Sequence, residues 1–208
     1  MRLVLASSSS ARRATLTAAG VPFEVVVSDV DEDAVGAAAG PVSVADLTAL
    51  LAAAKAAEVA GRVGGDAVVL GCDSLLDLDG VALGKPGSDA AVAERWAGLA
   101  GRTGTLHTGH CVLLVAAGQV TARAERVAST AVSFGRPTPA EIAAYVASGE
   151  PQQVAGAFTI DGLGGWFVDR IDGDHHTVVG LSLTTFRELL RDVGVGLVDL
   201  GWPVRPGT

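Results

Sequence analysis

The segment SSSSARRATL, Ser7–Leu16, decides how this chain begins to fold, because it directly follows the apolar run LVLA. The apolar run predicts a buried strand over Arg2–Ala6, and the residues after the serines predict a helix over Arg12–Ala19. A helix that starts just after a strand presents free backbone N–H groups, and its dipole favours an anion at that end. The segment therefore predicts an anion-binding turn.

The side chains of this turn carry phosphate-binding chemistry of their own. The serines, Ser7 and Ser9 among them, offer hydroxyl donors, while Arg12 and Arg13 offer charge and forked hydrogen bonding to phosphate oxygens. The local sequence also allows a plainer interpretation, in which a serine caps the helix and the arginines face solvent. The chain contains neither GxxxxGK[ST] nor GxGxxG, which excludes a P-loop and a dinucleotide fingerprint.

The composition describes a globular, acidic protein. Of the 208 residues, 49% are hydrophobic and 18% are charged, and the formal net charge is −8. We expect a single domain over residues 1–208 and a cytoplasmic protein, because the sequence shows neither a signal segment nor a membrane helix of roughly 18 apolar residues. The negative charge argues against a nucleic-acid polymer as partner, so a polyanionic substrate would need a local basic pocket.

Helices and strands alternate along the chain with hairpins between them, which predicts an α/β fold built on a mixed sheet. The expected strand features are strands at residues 2–6, 23–27 and 67–71, a hairpin turning at Asp79-Gly80, and a long ribbon turning near Gly118. The expected helices cover residues 12–19, 44–60, 89–99, 139–147 and 184–193. Residues 28–40 are expected to form an acidic connector without regular structure.

Two carboxylates are candidates for metal binding or base chemistry. Asp73 ends the apolar strand in VVLGCDSLL, a position suited to either role, although a turn-forming aspartate would explain it equally well. Glu32, in the acidic stretch SDVDED, could supply a second carboxylate, or it could belong to a solvated acidic loop. If carboxylate and phosphate oxygens bind an ion here, Mg²⁺ or Mn²⁺ is expected.

Lysine is scarce in this chain. Only two of the fifteen basic residues are lysines, Lys55 and Lys85, and the remaining thirteen are arginines. An ammonium group differs from a guanidinium in hydration and geometry, so a lysine retained in such a composition suggests a specific role. Lys85 stands in a turn before a proline, which favours a functional loop lysine. Lys55 lies in the middle of a helix, where a solvated face is the ordinary explanation.

The stretch LLDLDGVAL raises one competing interpretation. Its DxDG pattern, at residues 77–80, superficially matches the nucleophile motif of the haloacid dehalogenase phosphatases. That motif should end the first strand of a doubly wound sheet and lead into a helix, but here another strand-like piece follows at once. A hairpin turn explains the pattern better.

Ten short blocks together resemble the Maf family of nucleoside triphosphate pyrophosphatases. In chain order they are LASSSSARRATL, SDVDE, LAAAKA, GCDS, LGKP, TGH, SGEP, AGAF, DGLGG and VVGLSL. Each block is weak alone, but ten in order over nearly the whole chain form a strong signal. Both lysines lie inside matching blocks, which weakens the explanation that they survive by chance.

The resemblance implies an elongated mixed sheet with two lobes around a central nucleotide-binding groove, usually in a homodimer. It implies hydrolysis of a nucleoside triphosphate between the α and β phosphates, giving a monophosphate and pyrophosphate, with a divalent cation. By position, Asp73 would be the catalytic acid/base, and Glu32 would help to organise metal or water beside it. The phosphate contacts would come from Ser7, Ser9, Arg12, Lys55 and Lys85, with Lys85 also serving catalysis and Arg13 an addition to the motif.

The same resemblance points to two residues for base recognition. Ser74 follows the catalytic aspartate where the branch acting on dTTP and UTP tends to show threonine, and Asp161 stands where that branch shows glutamine. A carboxylate only accepts hydrogen bonds, so Asp161 would suit the N–H groups of a guanine-type base or the amine of cytosine and would face the O4 of uracil unfavourably. We therefore hypothesise that Asp161 disfavours UTP and dTTP, unless it is merely a turn residue.

Two other classes of function stay open at this point. The family has been associated with inhibition of septum formation, so the chain could be a nucleotide-binding regulator of cell division without significant turnover. It could also be a pure scaffold that binds no nucleotide. The presence of Asp73, Lys55 and Lys85 favours turnover, because a sensor could lose the base.

Overall fold

A computed structural model describes residues 1–203 of the chain. Within these residues one mixed sheet of seven strands forms, in the order β2-β1-β3-β5-β6-β7, with β4 paired to β3 outside this path. The strands are β1 Arg2–Ala6, β2 Glu24–Val25, β3 Ala67–Leu78, β4 Val81–Leu83, β5 Thr103–Ala116, β6 Gln119–Phe134 and β7 Val168–Asp172. The helices are α1 Ser10–Ala18, α2 Glu32–Ala39, α3 Val44–Ala60, α4 Asp89–Leu99, α5 Pro139–Ala147, α6 His175–Val179 and α7 Leu183–Asp192. Short 3-10 helices cover Glu150–Gln153, Ala155–Ala157, Leu163–Phe167 and Leu197–Leu200.

Strand β3 is the centre of the sheet and creates the opening that the site occupies. It runs parallel to β1 and antiparallel to β5, and β5 accompanies it as far as Asp77. Strand β1, however, ends at Ala6, opposite Gly71, and β4 pairs with β3 only from Leu76 onward. The middle of β3 therefore borders the turn between β1 and α1 where a neighbouring strand would otherwise lie.

Helix α3 lies directly on one face of the sheet at two glycines. A Cβ atom on Gly71 would lie 2.2 Å from the Ala52 carbonyl oxygen, and one on Gly109 would lie 2.2 Å from the Thr48 carbonyl oxygen. The facing helix is rich in alanine, so both sides of the contact lack bulk. This close approach buries most of α3 and brings its side chains to the level of β3.

The rest of the core divides between the other face and one end of the sheet. Helix α7 covers the face opposite α3 with leucines and Phe186, which pack on Leu3, Leu5 and Leu70. Beside the far half of β3, aromatic rings form a separate cluster with centroid distances of 4.9–6.2 Å. The cluster consists of Trp96, Phe134, Tyr145, Phe158 and Phe167.

Several expectations from the sequence are confirmed. The α/β class and the mixed sheet are as predicted. Residues 77–80 form the tight turn of the β3–β4 hairpin, with positive φ at Asp79 and Gly80, so they do not lead into a helix as the dehalogenase motif requires. Helix α5 begins at Pro139 with a capping box between Thr138 and Glu141. None of the helices within residues 1–203 is long and apolar enough to cross a membrane.

Two expectations were wrong in detail, and one short helix was missed. Residues 28–40 are not an irregular connector, because α2 forms there with Asp31 as its N-cap, accepting a hydrogen bond from Ala34 N at 2.9 Å. Asp73 does not end a strand but lies within β3, since pairing with β5 continues to Asp77 and pairing with β4 reaches Leu78. The short helix α6 was not predicted at all, because five residues are too few to show a periodic pattern.

Candidate active site

A groove of about 1010 Å³ opens where β1 ends beside β3. Residues from segments far apart in the chain line it, namely the serine turn, α2, α3, the middle of β3, the loop after β4 and residues 149–161. Nearly every residue predicted for the site lies there, specifically Ser7, Ser9, Arg12, Glu32, Lys55, Asp73, Ser74, Lys85 and Asp161. Arg13 is exposed on α1 and is not among the lining residues.

A buried ion pair stands at the floor of the groove. Lys55 Nζ lies 2.5 Å from Asp73 Oδ1 and 2.7 Å from Glu32 Oε1. Lys55 and Asp73 are only 8% and 6% exposed, whereas the Glu32 side chain is about half exposed. The solvated helix face expected for Lys55 is therefore wrong, because α3 turns this side chain toward β3.

The surroundings of Asp73 change its acidity. Burial raises the pKa of this carboxyl group above its usual value, and the charges of Lys55 and Arg12 counteract part of that effect. An aspartate in water is a poor base near neutral pH because its pKa is about 3.9. A higher pKa makes Asp73 a better proton acceptor, while the ammonium of Lys55 favours the ionised form that can accept a proton.

Arg12 connects the serine turn to β3 and to the residue that follows α6. It is 9% exposed. Its Nε donates to the Gly180 carbonyl at 2.7 Å, one terminal nitrogen donates to Ser7 Oγ at 3.1 Å, and the other donates to Ser74 Oγ at 3.0 Å. A guanidinium has five N–H donors, so two remain for a ligand in the groove. Arg12 is therefore held in place before any ligand arrives.

The hydroxyl of Ser74 is already committed within the protein. Thr108 Oγ1 donates to the Thr177 carbonyl at 2.8 Å, so its only proton is used there. The 2.9 Å contact between Ser74 Oγ and Thr108 Oγ1 then needs the proton of Ser74. Since Ser74 also accepts from Arg12, it has no donor left for a nucleobase, and its clearest role is to orient Arg12.

The serine turn both caps α1, as the plainer interpretation of the sequence held, and borders the groove, as an anion-binding turn should. Ser9 is the N-cap of α1 and accepts from Arg12 N at 3.3 Å, while Ser7 Oγ accepts from Ser9 N at 3.2 Å. The N-terminus of α1 nevertheless faces the groove, because Ser8, Ser10 and Ala11 line it as well. A capped turn that keeps first-turn N–H groups toward a cavity is a suitable anion site.

Lys85 approaches the groove from the loop after β4 and is exposed. Backbone hydrogen bonds tie this loop to residues 152–156. Gly156 N donates to the Gly84 carbonyl, and Gly87 N donates to the Gln152 carbonyl, each at 3.2 Å. The ammonium of Lys85 is thus carried by an anchored loop and can meet a ligand from a different direction than Lys55.

The carboxylates of the groove suit a hard divalent cation. Glu32 and Asp73 converge on one point, the ammonium of Lys55, and carboxylate oxygens are preferred ligands of Mg²⁺. Within the described part of the chain, however, no group of three or more His, Cys, Asp or Glu side chains could hold an ion by itself. Phosphate oxygens and water would have to complete the coordination of such an ion.

At another part of the groove, residues 158–161 form a less buried wall. Phe158 is buried within the aromatic cluster, and Thr159 and Ile160 lead from it to the exposed Asp161. The wall continues into the glycine-rich loop at residues 162–165. Ligand pockets are typically lined by apolar and aromatic side chains with a few polar groups that fix the orientation of the ligand.

Sequence reasoning missed two polar residues of this site. Thr108 fixes the hydroxyl of Ser74 from the neighbouring strand, which only the register of β3 and β5 reveals. Glu150 lines the groove and accepts three hydrogen bonds from the loop and α5. It lies in the block SGEP, which was noticed as a motif but assigned no role. The pattern of apolar and polar residues along the chain could not have identified either residue, because each acts through partners on other segments.

The fold and the groove together define a class of protein. A mixed α/β sheet carries a groove with fixed cationic groups, a capped helix N-terminus and a buried carboxylate of raised pKa, which are features for binding and attacking a polyphosphate. The family described as Maf-like protein matches residues 2–193. The chain belongs to this family.

Relatives in the family are similar over almost their whole length. The chain is 55% identical over 202 residues to the nucleoside triphosphate pyrophosphatase of Nocardia farcinica, which covers 95% of each chain. It is 54% identical over 204 residues to the protein of the same description from Streptomyces coelicolor, which covers 97% of this chain and 95% of the other. A solved nucleoside-triphosphatase / dITP/XTP pyrophosphatase from Mycobacterium abscessus is 19% identical over 66% of this chain and 76% of its own, with a TM-score of 0.39. That score is too low to support a conclusion.

Proposed function

We propose that this protein hydrolyses a nucleoside triphosphate between its α and β phosphates and releases a nucleoside monophosphate and pyrophosphate. The relatives described as nucleoside triphosphate pyrophosphatases support the reaction class. The single observation that carries the proposal is the convergence of Arg12, Lys55, Lys85 and Asp73 on one groove from four separate segments. These three cations give a polyphosphate local positive partners in a protein of net charge −8, although acidic side chains also line the groove.

Binding of the triphosphate uses the groups that are already fixed. The two free N–H donors of Arg12, the first turn of α1 and the hydroxyls of Ser7 and Ser9 bind phosphate oxygens. Lys85 adds an exposed positive charge from its anchored loop. Because these donors are held by the protein, they stabilise the growing negative charge of the transition state without first reorganising.

Asp73 is the proposed proton acceptor. A water molecule attacks the α phosphorus, its proton passes to the Asp73 carboxylate, and the bond from the α phosphorus to the bridging oxygen breaks as pyrophosphate leaves. Burial raises the pKa of Asp73, which makes the transfer easier than it would be to an aspartate in water. Lys55 holds the carboxylate in position and compensates its charge in the buried floor.

Glu32 and Asp73 are the residues that would hold a divalent cation, Mg²⁺ or Mn²⁺, together with phosphate oxygens. Such an ion would neutralise phosphate charge and acidify a nearby water. The fit of the two carboxylates supports this proposal, and the ammonium of Lys55 is the group that would have to share them with the ion.

The decisive experiment measures pyrophosphate release from nucleoside triphosphates with Mg²⁺ or Mn²⁺ and with a chelator. We expect turnover by the wild type with either ion and at least a hundredfold loss in Asp73→Asn, which keeps the shape of the side chain but removes the base. Asp172→Asn makes the same change on exposed β7, outside the groove, and should keep wild-type turnover.

The same assay separates the enzyme from the regulator considered above. Nucleotide binding measured by calorimetry should persist in Asp73→Asn, because the phosphate-binding groups remain. If the wild type and the variant both bind nucleotide and neither releases pyrophosphate, the protein is a binding regulator and the proposal fails. If neither binds nucleotide, the scaffold interpretation gains support.

Several further properties belong to the proposal. The protein acts as a homodimer and in the cytoplasm, as the resemblance to the Maf family and the sequence pattern suggest, and its net charge of −8 disfavours nucleic-acid polymers as partners. Asp161 is the proposed base-reading group, since it is an exposed acceptor at the end of the wall formed by residues 158–161. Ser74 contributes indirectly through Arg12.

A further inference from the structure

One carboxylate holds the loop that follows Asp161. Leu163 N donates to Glu150 Oε2 and Gly164 N donates to Glu150 Oε1, each at 3.0 Å. The Tyr145 hydroxyl donates to Glu150 Oε1 at 3.1 Å. Both oxygens of the side chain are therefore occupied by donors from the loop and from α5. Glu150 also lines the groove, so it lies between the loop and the ligand space.

The loop fits around this carboxylate with no room to spare. A Cβ atom on Gly162 would lie 2.7 Å from Glu150 Oε2, and one on Gly164 would lie 2.5 Å from the Tyr145 hydroxyl. At Gly164 a Cβ would also lie 2.7 Å from Thr159 N, so glycine is required there, whereas a Cβ at Gly162 would push the Glu150 carboxylate away. The loop is shaped to receive Glu150 and Tyr145, and its contact with them is not an incidental surface hydrogen bond.

Tyr145 is itself a rigid support. It is 3% exposed, and its ring packs edge-on against Trp96 and Phe167 at centroid distances of 6.2 and 5.5 Å. Glu150 consequently connects the loop to the aromatic part of the core. Because Glu150 is bonded to Tyr145 and to the loop, the aromatic core fixes where the loop lies.

The carboxylate of Glu150 is ionised under working conditions. Burial by itself would raise its pKa, but the hydrogen bonds from Leu163 N, Gly164 N and the Tyr145 hydroxyl outweigh burial and lower the pKa below its ordinary value. An ionised carboxylate accepts at both oxygens, which is the pattern that these three donors require.

We propose that Glu150 is a positioning residue for nucleobase selection, which fixes the loop after Asp161 and thereby the place of the Asp161 carboxylate. The inference rests on the proposed function, because it assumes that Asp161 meets the base of a nucleotide. Glu150 itself does not take part in the chemistry. Its role is to make the base-reading wall rigid, so that a misfitting base cannot be accommodated by movement of the loop.

The bonds that carry Lys85 do not depend on the Glu150 side chain. The loop of Lys85 is tied through backbone atoms of Gly84, Gly87, Gln152 and Gly156. Removing the charge of Glu150 should therefore loosen the base-reading wall and leave the phosphate-binding groups in place. This separation allows the proposal to be tested with a ligand that has phosphates and no base.

The test compares nucleoside triphosphates with inorganic triphosphate in the variant Glu150→Gln. The amide keeps the size of the side chain but has one accepting oxygen, and its NH₂ group would face a backbone N–H. We expect KM for the preferred nucleotide to rise about tenfold with a smaller change in kcat, and the preference among bases to narrow. The inhibition constant of inorganic triphosphate should not change.

Two further variants test this result, one that weakens the same anchor and one that serves as a control. Tyr145→Phe removes one of the three donors and keeps the ring packing, so its KM should fall between the wild type and Glu150→Gln. Glu141→Gln makes the same chemical change at an exposed glutamate on α5, where glutamine can still cap Thr138 N, and should behave as wild type. Tyr145→Phe also keeps the test valid if Glu150→Gln does not fold.

Several outcomes would overturn the proposal. An unchanged KM and an unchanged base preference in both Glu150→Gln and Tyr145→Phe would show that the loop does not depend on this anchor. An equal rise in KM and in the triphosphate inhibition constant would show a general disturbance of the groove. If the wild type does not hydrolyse nucleotides, the proposed function fails, but dissociation constants measured by calorimetry still test whether Glu150 controls base preference.

Discussion

The two ends of the groove are built in opposite ways. At the end that we propose binds the phosphates, called the phosphate end, Arg12, Lys55 and Asp73 are each less than 10% exposed, and helices and strands of the core carry them. At the base end, Asp161 is exposed on irregular backbone, and the loop beyond it is held by the side chain of Glu150. These three charged groups therefore lie on elements of the core and are shielded from water, whereas Asp161 lies on exposed irregular backbone and the loop after it depends on one side chain.

This difference matches what each end has to do. Charges that stabilise a transition state act most strongly when they are held rigidly and partly shielded from water. Base selection needs only a few correctly placed hydrogen-bonding groups, and it can change without disturbing the core. We therefore expect substitutions at the phosphate end to affect folding and turnover together, and those at the base end to affect selectivity.

The largest effect should follow from separating α3 from the sheet. In Gly71→Ala the new Cβ would lie 2.2 Å from the Ala52 carbonyl oxygen, so the helix that carries Lys55 would have to move. Overpacking of this kind costs about 1–3 kcal/mol, and a backbone contact this short belongs at the upper end of the range. Denaturant unfolding should show the loss of stability, and pyrophosphate release should fall with it.

Gly98→Ala is the matched control, because a Cβ on Gly98 would meet no atom within 4 Å and the residue lies inside α4. Alanine is favoured over glycine in a helix by about 1 kcal/mol, so this variant should be slightly more stable than the wild type and fully active. If Gly71→Ala were as stable and active as Gly98→Ala, the phosphate end would not depend on the close approach of α3.

The second-largest effect should be a pH dependence of stability caused by the buried His110. His110 is 1% exposed, and its Nε2 accepts from Ser182 N at 2.9 Å, which requires the neutral ring. Burial, and then the charge of Arg12, lower the pKa of His110 from 6.5 to about 4. The unfolded chain therefore binds more protons than the folded protein between these values, so stability falls as the pH falls through this window.

The size of this effect can be isolated with His110→Gln, whose amide oxygen can accept from Ser182 N and does not titrate. Between pH 7 and pH 5 the wild type should lose about 2 kcal/mol more of its free energy of unfolding than the variant. Urea unfolding at both pH values measures the difference. Equal losses in the two proteins would mean that His110 does not titrate in this range on unfolding.

The sequence identified the residues of the phosphate end correctly as groove residues, but it did not predict where two of them lie in the fold. The serine turn, Lys55 and Asp73 were identified by residue type and by family blocks, although the local pattern placed Lys55 on a solvated face and Asp73 at a strand end. Both positions were wrong because they depend on contacts distant in sequence. The burial of α3 follows from Gly71 and Gly109 on two strands, and the length of β3 follows from pairing with β5.

The sequence was sufficient to predict features that depend only on neighbouring residues. The Asp79-Gly80 turn and the start of α5 at Pro139 depend on residues within a few positions of one another, and both were predicted. Helix α2 has a local N-cap at Asp31, but its alanine-rich sequence has no apolar periodicity and it buries no residue, so the pattern gave no sign of a helix. Glu150 could not be predicted, because its three donors lie on α5 and on a later loop.

The smallest effect, and the sharpest test of the base end, should come from Asp161→Gln. An amide can donate as well as accept, so it can bond to the O4 of uracil or thymine, which the carboxylate cannot do. We expect the ratio of kcat/KM for UTP or dTTP to that for GTP or CTP to rise about tenfold, the value of one hydrogen bond. A panel of nucleoside triphosphates assayed for pyrophosphate measures this ratio, and stability should stay unchanged because Asp161 is exposed.

Asp172→Gln, at an exposed position on β7 that does not line the groove, should leave the ratio as in the wild type. If UTP or dTTP were already the best substrate and Asp161→Gln altered nothing, Asp161 would be a turn residue with no part in recognition. The proposed division of roles would then hold for the phosphate end but not for Asp161. Turnover would still depend on Asp73 and its core packing, but base selection would have to arise elsewhere along the wall formed by residues 158–161.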